Sequence, residues 1–312
     1  VEVLTHVQSA NLYLKPETLR SYQNVLNLAA DWGATSCEEL FSLPRFGDWL
    51  AWLKNTPEKR FRRRSPGSPM PLRSPRTVKQ RMLTARTLWR VAYKRGLCSQ
   101  APPALEDLPT IRLATEDPVA WSIEEFRLIL ETSLEARPVR WWTSSHWFTI
   151  LSCYFVTVER YSALASCEKS HLDSSNCLRV LGRSTKTGTP GTHSLPQWLA
   201  DMIRRLPPIP DDAAAWKRSL LWPMPFNLAT MRRHYRRDIL LPAGLPADRD
   251  HLFHCLRRTG ITELVNEVGL EAASRHARHS TPHITTALYV SDAKLRAPSG
   301  SVTLAKSIEG IA

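Results

Sequence analysis

The chain has 312 residues, 43% of them hydrophobic, and carries 42 Lys and Arg against 29 Asp and Glu, a net charge of +13. That length suits two packed domains, and the cationic excess suits a polyanionic partner, nucleic acid before an acidic membrane surface. No apolar run is long enough to span a bilayer, no secretory leader pattern opens the chain, and the six cysteines form no C-x-x-C pair; a membrane partner and a disulfide scaffold are excluded, and reduced, mostly buried thiols in a cytoplasmic setting are expected.

The first 100 residues read as all-helical. Leu19, Tyr22, Val25, Leu26 and Ala29 recur at helical spacing between Lys15 and Trp32, and a short helix follows over Phe46–Leu53. Lys59, Arg60, Arg62, Arg63 and Arg64 then lead into a Pro/Ser-rich stretch ending at Pro75. This is a loop, either a solvated connector or a segment laid along phosphates. Between Arg76 and Arg95 two stripes separate on one helix. Val78, Met82, Ala85, Trp89 and Ala92 form the apolar side; Lys79, Arg86 and Arg90, flanked by Arg76 and Lys94, form a cationic side without acids. An ordinary solvated face mixes signs, so this one is read as a DNA-binding face.

Prolines 102, 103, 109 and 118 mark a linker over residues 101–118. The second half, 119–312, opens with Ser122 as N-cap and Glu125 at the capping-box position. Helices are predicted over Ile123–Leu134 and His146–Cys153. Two strands around a turn fill Cys177–Leu195, and helices resume at Gln197–Leu206, Leu228–Leu240 and His254–Val268. In the tail, Leu304, Ile308 and Ile311 form an apolar stripe, suited to folding back or to docking on a neighbouring copy.

Breaking a phosphodiester without metal needs a nucleophile, cations for the nonbridging oxygens and an acid for the leaving oxygen. The second half supplies these residue types in order: Arg160, then Lys186 in the predicted hairpin, His254 and Arg257 at i and i+3, His279, and Tyr289. A zinc site among His276, His279 and His283 lacks a cysteine or carboxylate to complete it, so no metal is expected.

The segment His254-Cys255-Leu256-Arg257-Arg258-Thr259 resembles the H-x-L-R-H-T motif of the tyrosine recombinase (phage integrase) family, and Thr285-Thr286-Ala287-Leu288-Tyr289 resembles its T-T-x-x-Y. The resemblance covers essentially the whole chain. It implies a mainly α fold with a small antiparallel sheet, arranged as a two-domain DNA clamp: an all-α core-binding domain and an α+β catalytic domain. It implies a site-specific recombinase that cleaves and rejoins double-stranded DNA through a 3′-phosphotyrosyl link, without metal, ATP or cofactor, as a homotetramer on two DNA sites in the bacterial cytoplasm. By the same resemblance Arg160 and Arg257 clamp the scissile phosphate and Lys186 protonates the departing 5′ oxygen. His254 assists the tyrosine proton, His279 donates a further hydrogen bond, and Tyr289 attacks.

The sequence also departs from the family pattern. Val158 and Glu159 stand where Gly and an apolar residue are usual, and Ala163 replaces an acid. Arg258 replaces the second histidine and Arg278 the glycine before the later histidine; an ungapped match puts Ser280, not His279, in that role. Two rival readings remain open: a noncatalytic DNA-binding regulator on a degenerate recombinase fold, and a type IB topoisomerase.

Overall fold

The computed structural model describes residues 16–57, 71–113, 117–182 and 188–290. The chain divides into two compact units, residues 1–115 and 116–312. The expectations placed on the basic run at 59–64, on Lys186 and on the apolar tail lie outside the described residues.

In the first unit, serine and proline set the helix starts. The helices are α1 (Pro16–Trp32), α2 (Cys37–Leu40), α3 (Leu43–Asn55) and α4 (Pro75–Lys94). Ser36 and Ser74 accept the backbone N–H three residues on, and Pro75 occupies the first position of α4, where a missing donor costs nothing. The apolar stripe of α4 lies in the core as its spacing predicts: Val78, Met82, Ala85, Leu88, Trp89 and Ala92 pack with Val25, Ala29, Phe46, Trp49, Leu50 and Leu53. Trp89 stacks on Phe41 at 5.6 Å and donates its indole N–H to the Gln100 carbonyl at 2.7 Å, so its polar edge is satisfied.

The second unit is mainly α with one two-stranded antiparallel sheet. Helix α5 (Ile123–Leu134) starts with the expected capping box, Ser122 and Glu125 bonding reciprocally. Helix α6 (Ser144–Thr157) is apolar almost all round, so it runs through the core, with α5, α8 (Gln197–Arg204) and α11 (Phe253–Val268) packed on it. The short α7 (Tyr161–Leu164) follows a sharp turn. Strands β1 (Cys177–Val180) and β2 (Gly191–Ser194) pair from Cys177↔Ser194 to Val180↔Gly191. Beyond α9 (Ala215–Arg218) and α10 (Leu228–Tyr235), the chain closes through α11, α12 (Leu270–His276) and α13 (Pro282–Tyr289).

One element differs from expectation. The single helix read over Leu228–Leu240 is α-helical only to Tyr235 and widens into a π turn at Arg236–Leu240. The wider turn lets Tyr235, Ile239 and Leu240 all reach the core. Cys98, Cys153, Cys167 and Cys255 are buried free thiols; burial pushes Cys98 up to about 11 and Cys167 and Cys255 up to about 12. No described helix is long and apolar enough to cross a membrane.

His146 sits at 0% exposure, stacked on Trp142 at 5.1 Å, with its Nδ1 accepting the Thr143 N–H. Burial drives its pKa from 6.5 down to about 4. A depressed folded value means that the unfolded chain takes up this proton first as pH falls. Stability should therefore drop between pH 6.5 and 4, by up to about 3 kcal/mol from this residue. Denaturant melts across that range should show the slope, and His146→Gln, which keeps the cap acceptor, should flatten it.

Candidate active site

Three helix ends meet around one tyrosine. Helix α11 carries His254 and Arg257 one turn apart, the segment after α12 carries His279, and α13 ends on Tyr289. The Tyr289 ring is buried in a small apolar cluster with Val158, Ile261, Ala277 and Val290. His279 stacks on it at 4.6 Å, His254 meets it edge-on at 5.4 Å, and the Arg257 guanidinium lies 5.1 Å from its centroid. Ser280 is exposed, whereas His279 makes the ring contact.

Arg257 is 1% exposed. Its guanidinium donates to the Val158 carbonyl, to the Ala277 carbonyl at 3.1 Å and to His279 Nε2 at 3.1 Å. Its Nε–H is buried and has no protein acceptor. A buried cation with an unused donor is costly unless an anion arrives to take it. Desolvation, then the charge of Arg160, hold its pKa below the usual guanidinium range.

The histidines are in defined states. Because Arg257 donates to Nε2, His279 carries its proton on Nδ1, which donates to Thr285 Oγ1 at 2.8 Å. Desolvation, then Arg257 and Arg160, push His279 down to about 4. His254 is also pushed down to about 4, by desolvation and then by Arg258, Arg257 and Arg160. Since His254 is open to solvent at the surface, the three cations are the firmer cause. Both imidazoles are neutral at pH 7, and that of His254 can accept a proton.

Arg160 caps α7, half-buried, and its charge acts on His254, Arg257 and His279 together. Among the described residues nothing hydrogen-bonds its guanidinium, in keeping with Ala163 at the position of a supporting acid. The turn that presents it is unusual. Val158, at the C-cap of α6, has φ +45°, in the left-handed region that disfavours β-branched residues. Arg278 is left-handed too, at φ +55°, in a turn where His279 N–H bonds back to Ser274. Both stand where the resemblance leads one to expect glycine, and both backbones are left-handed nonetheless.

The other tyrosines of this unit are placed differently. Tyr154, Tyr161 and Tyr235 lie in the main core, and burial raises the pKa of each. Lys186 falls between Gly182 and Gly188, outside the described residues. A Cβ on Gly182 would collide with the Gly188 carbonyl, so the two limbs of the hairpin close tightly here.

On the first unit, Arg76, Arg90 and Lys94 are exposed along α4, and Lys79 and Arg86 are half-buried. Arg86 Nε donates to the Pro103 carbonyl at 2.7 Å, so part of its capacity is spent within the chain.

Two features escaped the sequence reading. One is the basic end of α10, where Arg232, Arg233 and Arg237 are exposed and Arg236 is half-buried; counting Arg in that segment would have found it. The other is the environment of Glu159, buried at 3% exposure, whose Oε1 accepts from His193 Nε2 at 2.8 Å and from Arg278.

No family model matches the chain and no curated protein matches it in sequence. Solved structures do match. The Tn1549 transposon integrase in complex with a circular intermediate DNA superposes with a TM-score of 0.66 at 13% identity, over 99% of this chain and 98% of that one. A lambda integrase dimer bound to a COC′ core site gives 0.63 at 13% identity, over 95% and 94%. The XerH site-specific recombinase in a post-cleavage complex with palindromic difH substrate gives 0.60 at 15% identity, over 86% and 74%. The chain has the fold of the tyrosine recombinases.

Gly260 shows how tightly α11 is seated. A Cβ there would lie 2.7 Å from the Phe155 carbonyl oxygen and 2.7 Å from Val158 Cγ1. Gly260→Ala should push α11 off the end of α6 and drag Arg257 from the Val158 carbonyl. A loss of roughly 1–3 kcal/mol is expected, measured as a lower denaturation midpoint; an unchanged midpoint would show slack at this contact.

Proposed function

We propose that the protein is a site-specific DNA recombinase that cleaves and rejoins DNA through a 3′-phosphotyrosyl intermediate on Tyr289. One observation carries the reading. Of the four tyrosines in the second unit, Tyr289 alone has Arg257, His254 and His279 against its ring, and the charge of Arg160 acts on all three.

The chemistry follows from those groups. Arg160 and Arg257 take the nonbridging oxygens of the scissile phosphate; the idle Nε–H of Arg257 gains its acceptor, and the developing charge is neutralised. Tyr289 Oη attacks phosphorus as its proton passes to neutral His254. The bond from phosphorus to the 5′ oxygen breaks, and Lys186 protonates that oxygen. His279 braces Arg257 in the free protein. When the phosphate draws the Arg257 N–H away, the other tautomer of His279 donates from Nε2, and the Thr285 hydroxyl turns to donate to Nδ1. The phosphotyrosine conserves the energy of the broken bond, so a 5′ hydroxyl religates it without ATP. No step calls on a metal.

In this reading residues 119–312 are the catalytic domain, residues 1–100 a core-binding domain, and 101–118 their linker. The α4 cations Arg76, Lys79, Arg86, Arg90 and Lys94 lie along DNA phosphates. Four copies hold two sites during strand exchange, in a bacterial cytoplasm.

Tyr289→Phe removes one oxygen and keeps the ring in its apolar cluster. It should bind DNA like the parent, yet form no denaturant-resistant adduct on a DNA nicked beside the scissile phosphate. Mass spectrometry of the parent adduct should place DNA on the Tyr289 peptide. An adduct that survives in Tyr289→Phe, or maps to Tyr161 or Tyr235, overturns the assignment. A parent that binds DNA but forms no adduct is a regulator; one that relaxes supercoils as a monomer at unpaired sites is a topoisomerase.

DNA affinity should also fall steeply with salt. Neutralising Lys79, Arg86 and Arg90 together should flatten the slope of log K against log salt by roughly 2–3, with Arg86 contributing least because Pro103 already holds it. An unchanged slope removes α4 from the interface.

A further inference from the structure

Glu159 is an uncommon residue to find buried one position before a site arginine. Its carboxylate is held by two partners. Oε1 accepts from His193 Nε2, on β2, and from the Arg278 guanidinium. The second arm of Arg278 donates to the Thr189 carbonyl at 2.9 Å, on the limb entering β2. The guanidinium also packs against Gly191, where a Cβ would come within 2.5 Å of Arg278 NH1. Glu159 and His193 are at 3% and 6% exposure, and the Arg278 side chain, 21% exposed, reaches in to them from nearer the surface.

Its three members belong to three segments. Glu159 precedes Arg160 directly, Arg278 precedes His279 directly, and His193 and Thr189 lie in or beside the second strand. Burial alone would raise the Glu159 pKa; His193 and Arg278 outweigh it and hold the carboxylate ionised. An interior ion pair adds little net stability over an apolar substitute of the same shape. It does impose one geometry on its partners, since a bidentate guanidinium fits only one orientation of a carboxylate and a carbonyl.

Building on the recombinase reading, we infer that Glu159, His193 and Arg278 form a positioning cluster that sets the turns of Arg160 and His279 against the β2 limb. None of the three touches the reacting atoms. The cluster takes up the work of the absent acid at Ala163 by holding the backbone of Arg160 instead of its side chain. It also gives the non-glycine at the left-handed position 278 a use: a long forked cation there reaches both Glu159 and Thr189.

The test uses the parent chain, Arg278→Met, and the double variant Glu159→Gln with Arg278→Gln, which leaves no buried charge unpaired and so guards against misfolding. Each is offered nicked DNA with either an ordinary scissile phosphate or a methylphosphonate, which carries no negative charge for Arg160 to neutralise. On the ordinary phosphate both variants should cleave about 10²-fold more slowly with DNA affinity unchanged, and on the methylphosphonate they should lose less than about tenfold. A merely structural role would slow both substrates alike, and that result overturns the inference. Hydrogen exchange on the same proteins reads the cluster without any chemistry. Faster exchange confined to residues 188–194 and 277–280, with α5 and α11 unchanged, supports the cluster; unchanged exchange overturns it. If the parent forms no adduct on either substrate, the recombinase reading fails, and exchange alone decides the cluster.

Discussion

The second unit turns on one buried guanidinium. Arg257 gathers the carbonyl that ends α6, the carbonyl that ends α12 and the imidazole of His279, and it lies beside the ring of Tyr289. Backbone carbonyls at helix C-termini carry partial negative charge, so a cation at their junction is stabilised from several sides. The contact also explains the tight seat of α11. Gly260 lets the helix approach the end of α6 closely enough for Arg257 to reach across. Packing and charge are one constraint here: without the close approach the cation is stranded, and without the cation the helix ends repel.

This arrangement separates two kinds of cation. Arg257 is structural while the site is free, with three of its N–H groups on protein acceptors, whereas the Arg160 guanidinium has no hydrogen-bond partner among the described residues. Under the recombinase proposal, an incoming phosphate would meet one guanidinium fixed by the fold and one free to adjust, with neutral imidazoles beside them. Burial, and after it the cations, depress both histidines, so each imidazole stays neutral well below pH 7.

Much of this was legible in the sequence where the signal is local. The capping box at Ser122 and Glu125, the apolar stripe of α4, the hairpin within Cys177–Leu195 and the one-turn spacing of His254 and Arg257 each depend on residues a few positions apart. Tyr289 was singled out by its resemblance to a T-T-x-x-Y motif, at a fixed interval after His254. What could not be read was long-range. Glu159 meets His193 across 34 positions and Arg278 across 119, and no periodicity connects them. Both Glu159 and Arg278 were visible as departures from the pattern the chain resembles; that their side chains meet requires coordinates. The π turn after α10 was hidden for another reason, since a helix that widens keeps an apolar pattern close to that of one that does not.

The left-handed turns at Val158 and Arg278 bear on how such proteins are recognised. Glycine is the usual sign that a chain must bend this way, and patterns built on letters treat it as the trait. Here the trait is the dihedral angle, held by a buried valine that fills a gap beside Gly260 and by an arginine anchored at both ends of its fork. A chain can lack the letter and hold the bend wherever neighbouring contacts carry its cost. A search for the letter passes over such a turn, whereas a search for the torsion angle finds it.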